Sequence, residues 1–157
     1  MEERKQKKLT LDEMPVLKKA IEILNECEHR WNLGACMVSN NILTGKGKLR
    51  WCYRHEPHRG AEVDNGWEFC SDVDTEDFLN VAENWTIISW DQMFIIEPAI
   101  DIIFDLPPGS DLVFVVDEHG RRFFDAETGK VVVPYYFDEL LKKSENSEAK
   151  TEDSSLS

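Results

Sequence analysis

The sequence predicts an α+β domain: a mainly antiparallel sheet with an N-terminal helix and short helices packed on it. Three observations carry this. One apolar stripe at helical spacing lies near the N-terminus, and a series of short β-prone segments follows, punctuated by Gly, Asn and Pro. The regular alternation of strand and helix that builds a parallel sheet is missing. With 157 residues, 41% hydrophobic and 10% aromatic, the chain suits one domain with a substantial core.

Met14, Leu17, Ile21, Leu24 and Trp31 share one stripe, with Lys18, Lys19, Glu22 and Glu26 on other faces, which predicts an amphipathic helix. Thr10 and Glu13 have capping-box spacing, yet a start there would put Pro15 past the first turn, where its ring clashes with a carbonyl. Asp12 is therefore the expected N-cap, and the helix should run to about residue 30, ahead of Leu33-Gly34. Segments 35–38 and 49–53 read as an antiparallel pair of strands, with Asn40-Asn41 and Gly45-Lys46-Gly47 supplying turn chemistry between them. Residues 66–71 alternate large apolar with polar groups as a half-buried strand does.

Asp74-Thr75-Glu76-Asp77 offers a cap for a short helix through Leu79. Residues 85–88 form the next predicted strand, and Ser89 can cap a helix containing Met93, Phe94 and Ile96. Glu97-Pro98 fits a helical restart that buries Ile100, Ile103 and Phe104 and ends at Pro107-Pro108-Gly109-Ser110. Three strands, 112–116, 121–124 and 131–136, are joined by His119-Gly120 and Thr128-Gly129 turns, and a last helical turn covers 137–141. The domain is thus expected over 10–141, between a flexible N-terminus of residues 1–9 and a disordered, polar tail over 142–157.

Charge narrows function. Fifteen Asp and Glu residues, and no Lys or Arg, lie between Arg59 and Arg121, and the whole chain carries a net charge of −13. A surface of this sign repels phosphates and anionic headgroups, so no nucleic-acid partner and no membrane partner is expected. No apolar run approaches the roughly 20 residues needed to span a bilayer. The charged, interrupted N-terminus does not read as a secretory signal, which predicts a cytoplasmic protein.

Cys27, Cys36, Cys52 and Cys70 form no CxxC pair and read as reduced, mostly buried thiols. Asp72, Asp74, Glu76, Asn80 and Glu83 take calcium-loop spacing, but Asp77 stands where the loop needs Gly, so an acidic helix start is the simpler reading. Cys52, His55, His58 and Cys70 do not match a recognised zinc ligand set. Neither a metal nor any other cofactor is expected. GxSxG, HExxH, glycine-rich phosphate loops and GxGxxG are all absent, and no nucleophile, base and orienting group can be named together, so no catalytic residue is assigned. Five tryptophans, Trp31, Trp51, Trp67, Trp85 and Trp90, must mostly be core. Trp67 sits in sequence beside Asp64, Asn65 and Glu68; if partly exposed, it would suit recognition of a basic protein surface.

Four segments carry a resemblance: Ser39-Asn40-Asn41-Ile42-Leu43, Trp51-Cys52-Tyr53-Arg54-His55-Glu56-Pro57, Asp64-Asn65-Gly66-Trp67-Glu68-Phe69-Cys70-Ser71 and Asp105-Leu106-Pro107-Pro108-Gly109-Ser110. Over about residues 36–124 the chain resembles the immunity protein 33-like family, a bacterial family catalogued earlier as a domain of unknown function. Tyr53, Arg54 and Pro57 match one family segment, Gly66 and Phe69 another, and Pro107 and Gly109 the last. Glu68, Cys70 and Asp72 depart from the pattern, and the Arg that often follows the Pro-x-Gly-Ser turn is not evident. The resemblance implies a cytoplasmic α+β protein that neutralises a toxin by binding, without enzymatic activity.

Combined with the charge, that implication predicts a protein partner with a basic toxin domain. Asp64, Trp67, Glu68, Asp72 and Asp74 are the expected contacts, Tyr53 and Arg54 brace the neighbouring strand, and an Arg54–Asp64 salt bridge is expected. A regulatory or adaptor module and a metal-dependent hydrolase are the alternatives.

Overall fold

The computed structural model describes residues 8–56 and 63–132. Pro57, His58, the later part of the 131–136 strand, the 137–141 turn and the tail lie outside them.

A six-stranded sheet in the order β4-β1-β3-β2-β5-β6 forms the frame, built from β1 (Ala35–Ser39), β2 (Leu49–Arg54), β3 (Asp64–Ser71), β4 (Trp85–Ser89), β5 (Asp111–Asp117) and β6 (Gly120–Asp125). Only β1 and β3 run parallel; the other four pairings are antiparallel. Among the described residues four α-helices accompany it: α1 (Pro15–Asn25), α2 (Asn40–Thr44), α3 (Glu76–Leu79) and α4 (Trp90–Ile96), and α1 packs on α2 and α4. The class is the α+β one that the sequence predicts.

The start of α1 differs from expectation. The Thr10–Glu13 box closes its own 3-10 turn, Leu11–Glu13, in which the Glu13 carboxylate accepts the Thr10 N–H at 3.1 Å. The helix then begins afresh with Pro15 at its first position, where a fixed φ and a missing N–H cost nothing. Asp12 is not the cap; it pairs with Lys18 at 2.8 Å on the surface. Leu17, Ala20 and Leu24 face the core. The helix stops at Asn25 and not near 30, because Arg30 folds back and donates to the carbonyls of Leu24, at 2.7 Å, and Cys27. Its guanidinium adds a donor to Leu24 O, which also accepts the Cys27 N–H at 3.0 Å, and supplies one to Cys27 O just past the helix.

The expected hairpin between β1 and β2 is also replaced. Ser39 Oγ accepts the Asn41 N–H at 3.3 Å and starts α2, which Gly45 ends at φ +84°. Ser-Asn-Asn is as good an N-cap sequence as a turn sequence, and burying Ile42 and Leu43 decides the competition. β3 then lies between β1 and β2. Elsewhere the caps hold as read: Thr75 caps α3, Ser89 and Gln92 form a capping box on α4, and Glu97 caps the 3-10 turn Pro98–Ile103.

The core lies between the helices and one face of the sheet. Trp67, Phe69 and Trp90 are buried within 6.3 Å of one another, ring centre to ring centre, and Phe104 stands 4.8 Å from Trp90. Leu17, Met93, Ile100, Ile103, Phe114 and Phe123 fill the remainder.

Candidate functional site

Strand alternation decides which side each motif residue serves. On β2, Cys52 and Arg54 turn toward the helices while Trp51 and Tyr53 turn away; on β3, Trp67 and Phe69 turn in while Glu68 and Cys70 turn out.

Inside, Arg54 is a hub. Its guanidinium donates to the carbonyls of Asn65 at 3.0 Å, Phe104 at 3.0 Å and Leu106 at 2.6 Å, and its cation lies over the rings of Trp67 and Phe104. Arg54 also exchanges backbone hydrogen bonds with the turn after Pro107, through Ser110 O at 2.9 Å and Gly109 N at 2.6 Å. Gly66, at φ +86°, lies so close to the His55 carbonyl that a Cβ there would stand 2.3 Å from it. The three motif segments therefore meet at one end of the sheet. Arg54 makes no salt bridge with Asp64, contrary to expectation, because the two occupy opposite faces.

Outside, two cross-strand rows traverse the sheet. Pairing places Ile87, Met37, Glu68, Tyr53 and Asp111 in one row, and Cys70, Trp51, Val113 and Phe124 in the next. Ile87 is 71% exposed, Trp51 45% and Tyr53 41%, and among the described residues no helix or strand covers this face. His55 belongs here too, with Nε2 3.2 Å from Asp64 Oδ2 and Nδ1 3.6 Å from Glu68 Oε1. Asp111 is exposed and has no ion pair among the described residues.

The predicted contacts divide. Asp64 and Glu68 stand on the open face. Trp67 does not: its ring is 0% exposed and its indole N–H donates to Phe104 O at 3.2 Å, so the buried indole replaces the exposed one that was expected. Asp72 and Asp74 follow the far end of β3, about 23 Å from Asp64 at ~3.3 Å per residue. Asp74 accepts from Ser39 Oγ at 2.9 Å, Asn41 Nδ2 at 2.8 Å and Ser71 N at 2.6 Å, which assigns it to tying α2 to β3. Asp72 accepts the Lys48 N–H at 2.9 Å. These five residues are not one patch.

Trp51 and Asp111 are the residues that sequence reasoning missed as surface features. The signal was available, since a buried Cys52 on a strand sends both of its neighbours to the other face.

Reactive chemistry is sparse. Burial holds the Cys36 and Cys52 thiols well above their usual range, and burial aided by the Asp74 and Glu68 charges pushes Cys70 up to about 12. Such thiols stay protonated and weakly nucleophilic. Among the described residues no Ser, Thr or Cys is hydrogen bonded to a histidine, and no three His, Cys, Asp or Glu side chains gather as metal ligands. A cavity of about 420 Å³ between α1, β2 and β5 is lined mainly by apolar groups, with the Glu97–Arg121 pair at 2.9 Å on its wall.

Compared with known families, residues 36–124 match the model of the Immunity protein Imm33 domain, a span running from β1 through β6 up to Phe124. No curated protein and no solved structure matches the chain.

Proposed function

The chain belongs to the Imm33 immunity protein family, and from that premise we propose that it is a non-enzymatic protein that neutralises a toxin in the cytoplasm by binding it through the open face of its sheet. One observation carries the reading. Helices cover one face, whereas the other presents Trp51, Tyr53 and Ile87 to solvent in ordered rows without a covering element among the described residues. Aromatic side chains on a rigid strand bury large area at little cost in rotamer entropy, which is the composition of binding hot spots.

Charge supplies the second half. With Glu68 and Asp111 on this face and a net charge of −13 over the chain, a basic toxin domain would be steered toward it. Acidic groups then govern the rate of encounter, and the desolvated aromatics govern dissociation.

The test is rescue. Cells producing a toxin encoded beside this gene should grow when this protein is co-expressed, and Trp51→Glu should abolish protection while leaving the thermal melt unchanged. Protection by Trp51→Glu equal to wild type would remove the open face from the mechanism. Failure of the wild-type protein against every neighbouring toxin would remove the neutralisation itself.

A further inference from the structure

We propose that the cavity beside β4 takes one lysine side chain of the partner, with Asp91 receiving its ammonium group. This inference rests on the binding role given above and names a contact at the margin of the same face.

A buried carboxylate without a countercharge is the first argument. Asp91, in the first turn of α4, is only 5% exposed. Its Oδ1 accepts the Trp31 N–H over a long 3.4 Å, and among the described residues it forms no ion pair with a Lys or Arg. Asp74, less buried, has three donors. Asp91 Oδ2 accepts no hydrogen bond from the described residues and is not sealed from solvent, so it opens on the cavity that Asp91 lines. A carboxylate withdrawn from bulk water gains most from a cation that meets it directly.

Shape is the second argument. The cavity holds about 500 Å³, with Leu33, Val63, Ile87 and Ile88 as its apolar lining. Val63 and Ile87 are exposed and form the mouth, whereas Ile88 and Asp91 are buried and form the floor. An aliphatic stem ending in a charge matches that gradient from apolar rim to acidic base. A guanidinium fork is best met by two carboxylate oxygens side by side, but Oδ1 is already engaged by Trp31. One open oxygen suits the compact ammonium of lysine.

Position is the third. Ile87 both walls this cavity and ends the cross-strand row that runs through Met37 and Glu68 to Tyr53. Three strand spacings separate it from Tyr53, about 14 Å, so a partner seated on the open face reaches the cavity within one interface of ordinary size.

The experiment titrates the full chain with three capped tripeptides, Gly-Lys-Gly, Gly-Arg-Gly and Gly-norleucine-Gly, at equal ionic strength, and follows amide chemical shifts. The lysine peptide should shift the amides of Leu33, Ile87 and Asp91, and should bind about threefold more tightly than the arginine peptide and about tenfold more tightly than the uncharged one. Asp91→Asn keeps an acceptor for the Trp31 N–H and should bring the lysine peptide down to the norleucine level. A melting curve of that variant confirms folding, and the ranking of the three peptides on the wild-type protein needs no variant at all. Equal binding of lysine and norleucine peptides, shifts centred elsewhere, or indifference of a folded Asp91→Asn to the change would overturn the site. Asp91→Asn should also weaken rescue from the toxin; full rescue would overturn the partner as the source of the lysine. If Trp51→Glu abolishes rescue while Asp91→Asn leaves rescue and peptide binding intact, the lysine cavity fails and the docking face stands.

Discussion

The two faces of strands β2 and β3 are built from similar residue types and do opposite things. Trp67 and Phe69 on one side are sealed under α4 and the 3-10 turn, whereas Trp51 and Tyr53, one strand away on the other side, meet solvent. Aromatic content is the same; what separates a core residue from a surface one is the parity of its position. The inner face holds the domain together, and the outer face leaves its aromatic side chains in solvent.

Truncating one tryptophan on each side is the sharpest way to break the comparison. Trp67→Ala should lose about 3 to 5 kcal/mol, since it removes a fully buried ring and leaves Phe104 O without its indole donor. Trp51→Ala should change stability by about 0.5 kcal/mol or less, as surface substitutions do. Chemical denaturation of both variants measures the difference. Similar losses would mean that the outer tryptophan is structural and the distinction between faces is wrong.

Arg54→Lys tests the inner hub with the charge retained. One ammonium nitrogen cannot stand at both Nε, which serves Asn65 O, and Nη1, which serves Phe104 O and Leu106 O, so the variant should lose about 2 to 3 kcal/mol. The loss should come with exposure of the 104–110 segment, read as faster amide exchange at Gly109, whose N–H bonds to the Arg54 carbonyl. Unchanged exchange there would show that the hub does not hold the turn.

Asp74→Ala should cost about 1 to 2 kcal/mol, because it leaves Ser39 Oγ, Asn41 Nδ2 and Ser71 N without their acceptor at the opposite end of β3. Neutralisation of a partner should be unaffected by it. A variant that is stable yet fails to protect would return Asp74 to the contact surface.

These contrasts also show how far the sequence could be read. The strands within the described residues and the caps of α3 and α4 were legible because they are local: Ser89 and Thr75 need only neighbours in the chain, whereas the Asp12 cap failed. Strand order was not, since the pairing of Val38 with Phe69 depends on contacts across the fold that no local pattern encodes. The misreading of Trp67 has a narrower cause. Acids adjacent in sequence suggested an acidic setting, but on an extended strand Glu68 points away from its neighbours on either side, and the alternation of Trp67 with Phe69 already marked both as inward. Arg54 was legible as a motif residue while its partners were not, because a guanidinium bonded to main-chain carbonyls leaves no trace in the side chains around it.

The smallest effect concerns the two turns that flank β6, one between Asp117 and Gly120 and one after Asp125, which are held by local carboxylates where the Arg54 end is held by long-range contacts. Asp125 accepts the N–H groups of Thr128 and Glu127, each at 2.9 Å, and these bonds keep its carboxyl below the usual 3.8. Asp117 is lowered by the His119 N–H first and by Arg122 as well. A group whose folded pKa lies below its unfolded value stabilises the fold above the unfolded value, and that contribution disappears as pH falls through the folded one. An Asp117→Asn, Asp125→Asn variant should therefore melt slightly below wild type near neutrality, with the gap closing as pH drops below 3.8. Arg54→Lys, whose lost partners are carbonyls that do not titrate, should keep its deficit through the same range. Melting temperatures of the three proteins across that window decide the point: a gap for the double Asn variant that stays constant with pH would mean that these two charges do nothing for the turns that an amide cannot.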